Sequence, residues 1–126
     1  MIVQNVHHIA IIVSDYEKSK DFYVNKLGFQ VIREEHRAVQ NDIKLEVQLG
    51  NCMLEIFKKA DPAENSGKPN RCGVWHLCFY APDLEKTIAE LNAVGIETDP
   101  IMVNASNGKR ICFLYDPDGL PLELHE

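Results

Sequence analysis

Apolar runs separated by polar turns predict a strand, a helix and three further strands in the first half of the chain. The first run covers residues 6–13 and has the length and β-branched residues typical of a strand. Ser14 and Asp15 then supply a helix cap, and the apolar spacing that follows predicts a helix over residues 16–27 that ends at Gly28. Strands are predicted next over residues 29–32, 43–49 and 52–57, with a hairpin turn at Gly50 and Asn51.

The second half repeats this order of elements. A strand over residues 74–80 leads to Pro82 and Asp83, which open a helix over residues 84–94 that ends at Gly95. Between the halves, residues 59–73 contain Pro62, Ser66, Gly67, Pro69 and Gly73 and few apolar residues, which predicts an exposed connector. The remaining predicted strands cover residues 101–103, 111–115 and 122–125.

Sliding the chain along itself, so that His8 falls on His76, supports an internal duplication. Overall identity between the halves is low, but polar residues match at the corresponding places in the two sets of elements. The matched pairs at this one offset are Val6 with Val74, His8 with His76, Asp15 with Asp83, Glu17 with Glu85, Lys18 with Lys86, Ile43 with Ile111, Leu54 with Leu122, and Glu55 with Glu123.

Four polar residues stand inside apolar strand patterns and form the main candidate site. They are His8, Glu55, His76 and Glu123, and the spacing from histidine to glutamate is the same in both halves. A carboxylate among aliphatic residues is costly unless it is paired, and two facing carboxylates raise each other's pKa. A divalent cation removes both costs, and two imidazoles with two carboxylates suit zinc, nickel, iron, cobalt or manganese.

Two alternatives to this metal site follow from the same pattern. Each of the four side chains could point to solvent, because a half-exposed strand alternates polar and apolar residues. His7 competes with His8, and since neighbouring strand residues face opposite sides, only one of the two can face inward. The repeat selects His8, because His7 aligns with Trp75.

Composition excludes several other classes of function. The 126-residue chain has 13 basic and 19 acidic residues, a net charge of −6, and no basic run suited to nucleic acid or an anionic membrane. No apolar run approaches the roughly 20 residues of a membrane span, and the first residues do not resemble an export signal. The four cysteines form no Cys-x-x-Cys pair, which indicates buried free thiols in a cytoplasmic protein.

Both ends of the chain resemble the vicinal-oxygen-chelate superfamily, which includes glyoxalases, bleomycin-resistance proteins and extradiol dioxygenases. The opening resemblance runs from His8 to Asp15 and on to Leu27-Gly28-Phe29, and the closing one is Asp116-Pro-Asp-Gly-x-Pro-Leu-Glu123-Leu. The resemblance covers essentially the whole chain. It implies an α+β fold over residues 1–126, with tandem βαβββ modules at about residues 1–58 and 74–126. These modules would form a curved mixed sheet around a metal that His8, Glu55, His76 and Glu123 ligate.

Within that superfamily, a His/Glu/His/Glu set is similar to glyoxalase I and to short glyoxalase-like bacterial proteins of the YaeR type. This resemblance implies a cytoplasmic homodimer with one divalent metal ion per site, zinc or nickel first and cobalt or manganese next. The implied reaction is that of a lactoylglutathione lyase: the hemithioacetal of methylglyoxal or another 2-oxoaldehyde becomes a 2-hydroxyacyl thioester, with Glu123 as the catalytic base. A small molecule is then the expected partner, with no nucleic acid and no membrane.

The chain also departs from the glyoxalase I pattern. Two positions that contact glutathione in that family, usually Arg and Asn, are Ile12 and Lys59 here. Three alternatives within the superfamily therefore stay open: a non-catalytic drug-binding resistance protein, an epimerase, and a fosfomycin-type thiol transferase. Methylmalonyl-CoA epimerases usually have Gln where this chain has Glu55.

Overall fold

The computed structural model describes residues 2–63 and 72–126. The chain divides into two compact units, Met1–Glu64 and Asn65–Glu126. Most of the predicted connector, residues 64–71, lies outside the described residues. None of the helices that the structure describes has the length and apolar character needed to traverse a bilayer.

The first unit contains one mixed four-stranded sheet. Its strand order is β1-β4-β3-β2, with β1 parallel to β4 and the other neighbours antiparallel. The predicted first helix is α-helical at its start and π-helical over Asp21–Lys26. The elements are β1 (Ile9–Ile12), α1 (Tyr16–Lys20), β2 (Gln30–Arg37), β3 (Asp42–Leu49) and β4 (Cys52–Lys58).

The second unit has the same construction. Its strand order is β5-β8-β7-β6, again with one parallel pair, β5 with β8. The elements are β5 (Leu77–Tyr80), α2 (Leu84–Ala93), β6 (Met102–Val103), β7 (Arg110–Tyr115) and β8 (Pro121–His125). The predicted α+β class, with a strand, a helix and three strands in each half, is therefore confirmed.

Helix caps and strand registers follow the predicted duplication. The Asp15 carboxylate accepts a hydrogen bond from the backbone N–H of Lys18 at 3.0 Å, and Asp83 does the same for Lys86 at 3.1 Å. In the sheets, Glu55 lies beside Ala10 on β1, and Glu123 lies beside Cys78 on β5. All of these positions keep the offset that places His8 on His76.

One predicted match in the duplication is wrong. Lys44 pairs with Phe57 across β3 and β4, and Ile111 pairs with His125 across β7 and β8. Because Phe57 and His125 occupy corresponding positions in the repeat, Ile111 corresponds to Lys44 and not to Ile43. The offset between the halves is therefore one residue shorter in this strand. The identity of Ile43 and Ile111 does not reflect corresponding positions.

In each sheet, alternate residues of the central strands form one buried apolar face. In the first unit the buried positions are Leu45, Val47, Leu54 and Ile56, and in the second they are Cys112, Leu114, Leu122 and Leu124. Since successive strand residues point to opposite faces, Glu55 and Glu123 lie on the other side of their sheets. We call that side the ligand face of each unit.

Two expectations need correction. His8 and His76 lie immediately before β1 and β5, not inside them, because the ladders with β4 and β8 begin only at Ile9 and Leu77. Among the cysteines, Cys112 is buried, Cys52 is half-buried, and Cys72 and Cys78 are exposed. Cys78 is exposed because it lies on the ligand face of β5, opposite the buried Leu77.

Candidate metal centre

The first unit brings His8 and Glu55 together. Nδ1 of His8 lies 3.5 Å from Oε2 of Glu55, whose side chain is only 11% exposed, while that of His8 is 37% exposed. Nδ1 of His8 also shares a hydrogen bond of 2.9 Å with Nδ1 of His7. His7 and His8 therefore do not point to opposite faces, because the chain has not yet entered the strand. His8 is the one in contact with Glu55, as the repeat predicts.

Charged side chains surround Glu55 on the ligand face. Nζ of Lys44 lies 3.5 Å from Oε1 of Glu55 and 3.1 Å from Oε1 of Glu46. Glu46 is directly opposite Glu55 across the two strands, and it also accepts a hydrogen bond of 3.2 Å from Arg33. Lys44 lowers the pKa of Glu46, and the two carboxylates raise the pKa of Lys44. A lysine thus compensates the negative charge beside the predicted ligand.

The second unit brings His76 and Glu123 together at shorter range. Nε2 of His76 lies 2.9 Å from Oε2 of Glu123, and the two side chains are 21% and 10% exposed. The neighbours of this pair are aromatic. The His76 ring makes edge contacts with Trp75 and Phe113, at centroid distances of 4.6 and 5.4 Å.

The two ring nitrogens of His76 have different surroundings. Its Nδ1 is buried and has no hydrogen-bond partner among the described residues. Nε2, which faces the Glu123 carboxylate, is therefore the ring nitrogen that could share a cation with Glu123. The donor set of imidazole nitrogen and carboxylate oxygen fits a divalent transition metal.

Each unit thus supplies one buried carboxylate and one imidazole. Within the described part of the chain, no group of three or more His, Cys, Asp or Glu side chains is placed to hold a metal ion. The prediction of one cation shared by all four residues therefore stays a prediction.

The two positions that depart from the glyoxalase I pattern have definite surroundings. Ile12 lies opposite Phe57 on the ligand face of β1 and is 57% exposed. Lys59 donates a hydrogen bond of 2.9 Å to the Asp42 carboxylate, which Arg37 also contacts. Neither Lys44 nor the Arg37–Asp42–Lys59 cluster stood out in the sequence. The alternation of β3, counted back from Glu46, would have placed Lys44 and Asp42 on the ligand face.

Comparison with known proteins gives relatives that match nearly the whole chain. YwkD of Bacillus subtilis is 50% identical over 100% of this chain and 99% of its own length. YaeR of Escherichia coli is 39% identical, covering 98% of this chain and 97% of its own length. A mitochondrial methylmalonyl-CoA epimerase of Dictyostelium discoideum is 27% identical, over 98% of this chain and 79% of the epimerase.

Solved structures agree with the fold. A glyoxalase family protein from Enterococcus faecalis superposes with a TM-score of 0.90 at 50% identity, and the match covers 100% of both chains. TnmS3, an antibiotic binding protein from a Streptomyces species, superposes with a TM-score of 0.75 at 24% identity over 99% of this chain and 97% of TnmS3. Residues 5–124 match the sequence profile of a single superfamily. The chain therefore belongs to the Glyoxalase/Bleomycin resistance protein/Dioxygenase superfamily.

Proposed function

We propose that this protein is a metal-dependent, glyoxalase I-like lyase that converts the hemithioacetal of a 2-oxoaldehyde and a thiol into a 2-hydroxyacyl thioester. One observation carries the proposal: His8–Glu55 and His76–Glu123 are matched pairs at corresponding positions, and both carboxylates are buried. A pair of imidazoles and a pair of carboxylates would together complete the coordination of one divalent ion.

In this proposal His8, Glu55, His76 and Glu123 hold one zinc or nickel ion, with cobalt or manganese as substitutes. The two pairs would come from one chain or from two chains of a homodimer in the cytoplasm. When bound, the cation would polarise the two substrate oxygens and stabilise the negative charge that develops during enolisation.

The protein's own part of the reaction is proton transfer by a carboxylate. An Oε atom of Glu123 accepts the proton from the hemithioacetal carbon and returns it to the neighbouring carbon, so that the carboxylate is regenerated. His76 would orient Glu123 through its 2.9 Å contact. The ring of Phe113, opposite Glu123 across the two strands, would limit access of water to that carboxylate, which strengthens its interactions with charge.

The test is an assay of purified protein reconstituted with zinc, nickel, cobalt or manganese. Methylglyoxal is supplied with glutathione and, separately, with other low-molecular-weight thiols, and thioester formation is followed. We expect metal-dependent product with at least one thiol, and no product from metal-free protein. Absence of thioester with every metal and thiol would refute the proposal.

An epimerase acting on an acyl thioester is the second candidate. The relationship to methylmalonyl-CoA epimerase supports it, because epimerisation also moves a proton at the carbon next to a carbonyl. Glu55 favours the lyase, since those epimerases resemble this chain but usually have Gln there. Exchange of the α-proton of methylmalonyl-CoA with deuterated water, without thioester formation from methylglyoxal, would select the epimerase.

A non-catalytic drug-binding protein is a candidate of a different class. The structural similarity to TnmS3 shows the shared fold, and the buried His–Glu pairs favour catalysis over sequestration. Tight binding of a planar drug by protein that retains no metal would select sequestration. A fosfomycin-type thiol transferase would be selected by metal-dependent addition of a thiol to fosfomycin in the same assay series.

A further inference from the structure

A cleft on the first unit carries an excess of positive charge. It has a volume of about 490 Å³ and lies where the turn between β2 and β3 meets the end of β4. Its lining includes the cationic residues Arg37, Lys58 and Lys59 and a single carboxylate, Asp42. The lining therefore has two more positive than negative charges before His36 is counted, in a chain whose net charge is −6.

Asp42 orients two of these cations. Its side chain is 0% exposed and accepts hydrogen bonds from Nε and Nη2 of Arg37 at 2.7 and 2.6 Å. It accepts a third, of 2.9 Å, from Nζ of Lys59. Arg37 and Lys59 hold the pKa of the Asp42 carboxyl well below its usual range, so the carboxylate stays ionised. One carboxylate balances only one of the two cations.

Phe57 provides a ring beside the same cations. Its centroid lies 4.9 Å from Nζ of Lys59 and 5.1 Å from the guanidinium carbon of Arg37. Nζ of Lys58 donates a hydrogen bond of 2.7 Å to the carbonyl of Lys59, which fixes the third cation at the cleft. Cations held by a buried acid and an aromatic face lose little further conformational entropy when an anion binds.

The cleft lies along the same strand as a predicted metal ligand. Glu55 and Phe57 are both on the ligand face of β4, and Lys59 follows directly after that strand. At about 3.3 Å per residue, the four residues from Glu55 to Lys59 span about 13 Å. An extended thiol or acyl carrier could therefore reach from a reacting centre at Glu55 to the cleft.

We propose that the cleft formed by Arg37, Lys58 and Lys59 binds the anionic end of the substrate's carrier, a multiply charged phosphate or carboxylate group. This rests on the proposed function for its link to the reaction, but binding of the anion does not require the metal. A guanidinium and two ammonium groups can share a phosphate or a pair of carboxylates through charge-assisted hydrogen bonds. Lys59 then performs a binding role at the position where the resemblance to glyoxalase I would place an Asn.

The test is calorimetric titration of metal-free protein with pyrophosphate, and separately with citrate, at constant ionic strength. We expect saturable binding of at least one of these anions. Lys59→Met should weaken that binding about tenfold, the effect of losing one charge-assisted hydrogen bond. The double variant Lys58→Met/Lys59→Met should abolish it. Tighter binding of pyrophosphate indicates a phosphate-bearing carrier, and tighter binding of citrate indicates a carboxylate-bearing one.

Lys18→Met is the matched control, because it removes the same charge from the exposed surface of α1. Its binding of either anion should stay within about twofold of the wild type, since Lys18 does not line the cleft and an exposed charge is screened by salt. Arg37 is kept, because its loss would leave the buried Asp42 carboxylate without its two shortest hydrogen bonds. Equal binding by wild type and Lys59→Met, or no saturable binding of either anion, would overturn the proposal.

The same titration separates this proposal from the proposed function. Glu123→Gln should lose activity and still bind the anion, because Glu123 lies outside the cleft. If no lyase activity is found but Lys59→Met weakens anion binding, the anion-binding proposal is supported and the proposed lyase function is refuted. Lyase activity without anion binding would refute only the anion-binding proposal. If both hold, Lys59→Met should raise KM and change kcat by less than about twofold.

Discussion

The ligand faces of the two units differ sharply although their frameworks match. Opposite the predicted ligand carboxylate stands Glu46 in the first unit and Phe113 in the second. Two residues earlier on the same strand, and therefore on the same face, the first unit has Lys44 and the second has Ile111. The first face is therefore a network of charges around Glu55, and the second is an apolar and aromatic surface around Glu123.

This difference separates what a duplicated fold retains from what it can change. Caps, registers and core positions are retained because each unit must bury the same face of its sheet. Residues on the other face have no such constraint and can specialise. Glu55 and Glu123 are equally buried and differ only in their neighbours. We infer that the first unit provides charge compensation and anion binding, and that the apolar neighbours of Glu123 favour its proposed role in proton transfer.

The largest expected effect distinguishes the two carboxylates. Glu123→Gln should reduce kcat of the proposed lyase by about 10²–10⁴-fold, because a neutral amide cannot accept the proton. Glu55→Gln keeps an oxygen ligand and should reduce kcat by about tenfold or less. Steady-state kinetics on metal-reconstituted protein measures both.

The controls for this experiment are metal content and folding, measured by elemental analysis and circular dichroism. Both variants should retain most of their metal, so that the loss in Glu123→Gln reflects chemistry. Equal losses of rate in the two variants at equal metal content would show that the faces do not have separate roles.

The next effect tests the shared framework. Leu54 and Leu122 are corresponding core residues, 2% and 0% exposed. Replacing either with Ala should lower the free energy of unfolding by about 3 kcal/mol, because it removes buried methyl groups and leaves a cavity. Urea denaturation measures the change.

Val39→Ala is the matched surface control, because Val39 is 94% exposed. It should change stability by less than about 0.5 kcal/mol. A loss above about 2 kcal/mol in one leucine variant and below about 1 kcal/mol in the other would show that the two cores are not equivalent, contrary to this comparison.

A smaller effect uses the single tryptophan as a reporter of the second unit. The Trp75 ring lies 4.6 Å from that of His76, so zinc binding at His76 should change Trp75 emission. His76→Ala should remove this response. His8→Ala should retain it and raise the apparent Kd by about tenfold or more, if both units ligate the same ion.

Fluorescence titration with zinc measures this response, and Phe113→Leu is its control. That variant removes one aromatic neighbour of His76 and keeps the predicted ligands, so its zinc affinity should change by less than about threefold. An unchanged zinc affinity in His8→Ala would mean that the second unit binds zinc without the first.

The smallest effect concerns pH. Hydrogen bonds from Arg110 lower the pKa of Glu126 from its usual 4.5 to about 2. A lowered folded-state pKa means that this ion pair stabilises the folded chain above about pH 4.5, and that the stabilisation is lost as the pH falls towards 2. Glu126→Gln should therefore be less stable than the wild type at pH 6 and equal to it near pH 2.

Denaturation of both proteins across this pH range is the measurement. The pKa of Asp42 in the first unit is lowered as well, by its hydrogen bonds from Arg37 and Lys59. The Glu126→Gln variant should therefore still lose stability on acidification. A stability difference between Glu126→Gln and the wild type that persisted at pH 2 would contradict an ionic origin.

Strong local patterns account for the parts of the fold that were predictable. Asp15 and Asp83 marked both helix starts because a capping carboxylate must precede the first turn. The strands of the cores were found because alternation with a period of two is read directly from the residues. The limits of β1 and β5 were not found, because apolar residues before Ile9 and Leu77 continue the strand pattern without the corresponding ladder.

The sequence by itself determined the duplication, the order of elements, and the pairing of His8 with Glu55 and of His76 with Glu123. Each of these depends on spacing that survives in the one-dimensional pattern. Only the tertiary structure decided that Lys44 and Glu46 surround Glu55, that Trp75 and Phe113 surround His76, and that Asp42 orients two cations. Those neighbours lie on different elements or at a shifted register, and the energy of a charge or a ring depends on distances that only folding sets.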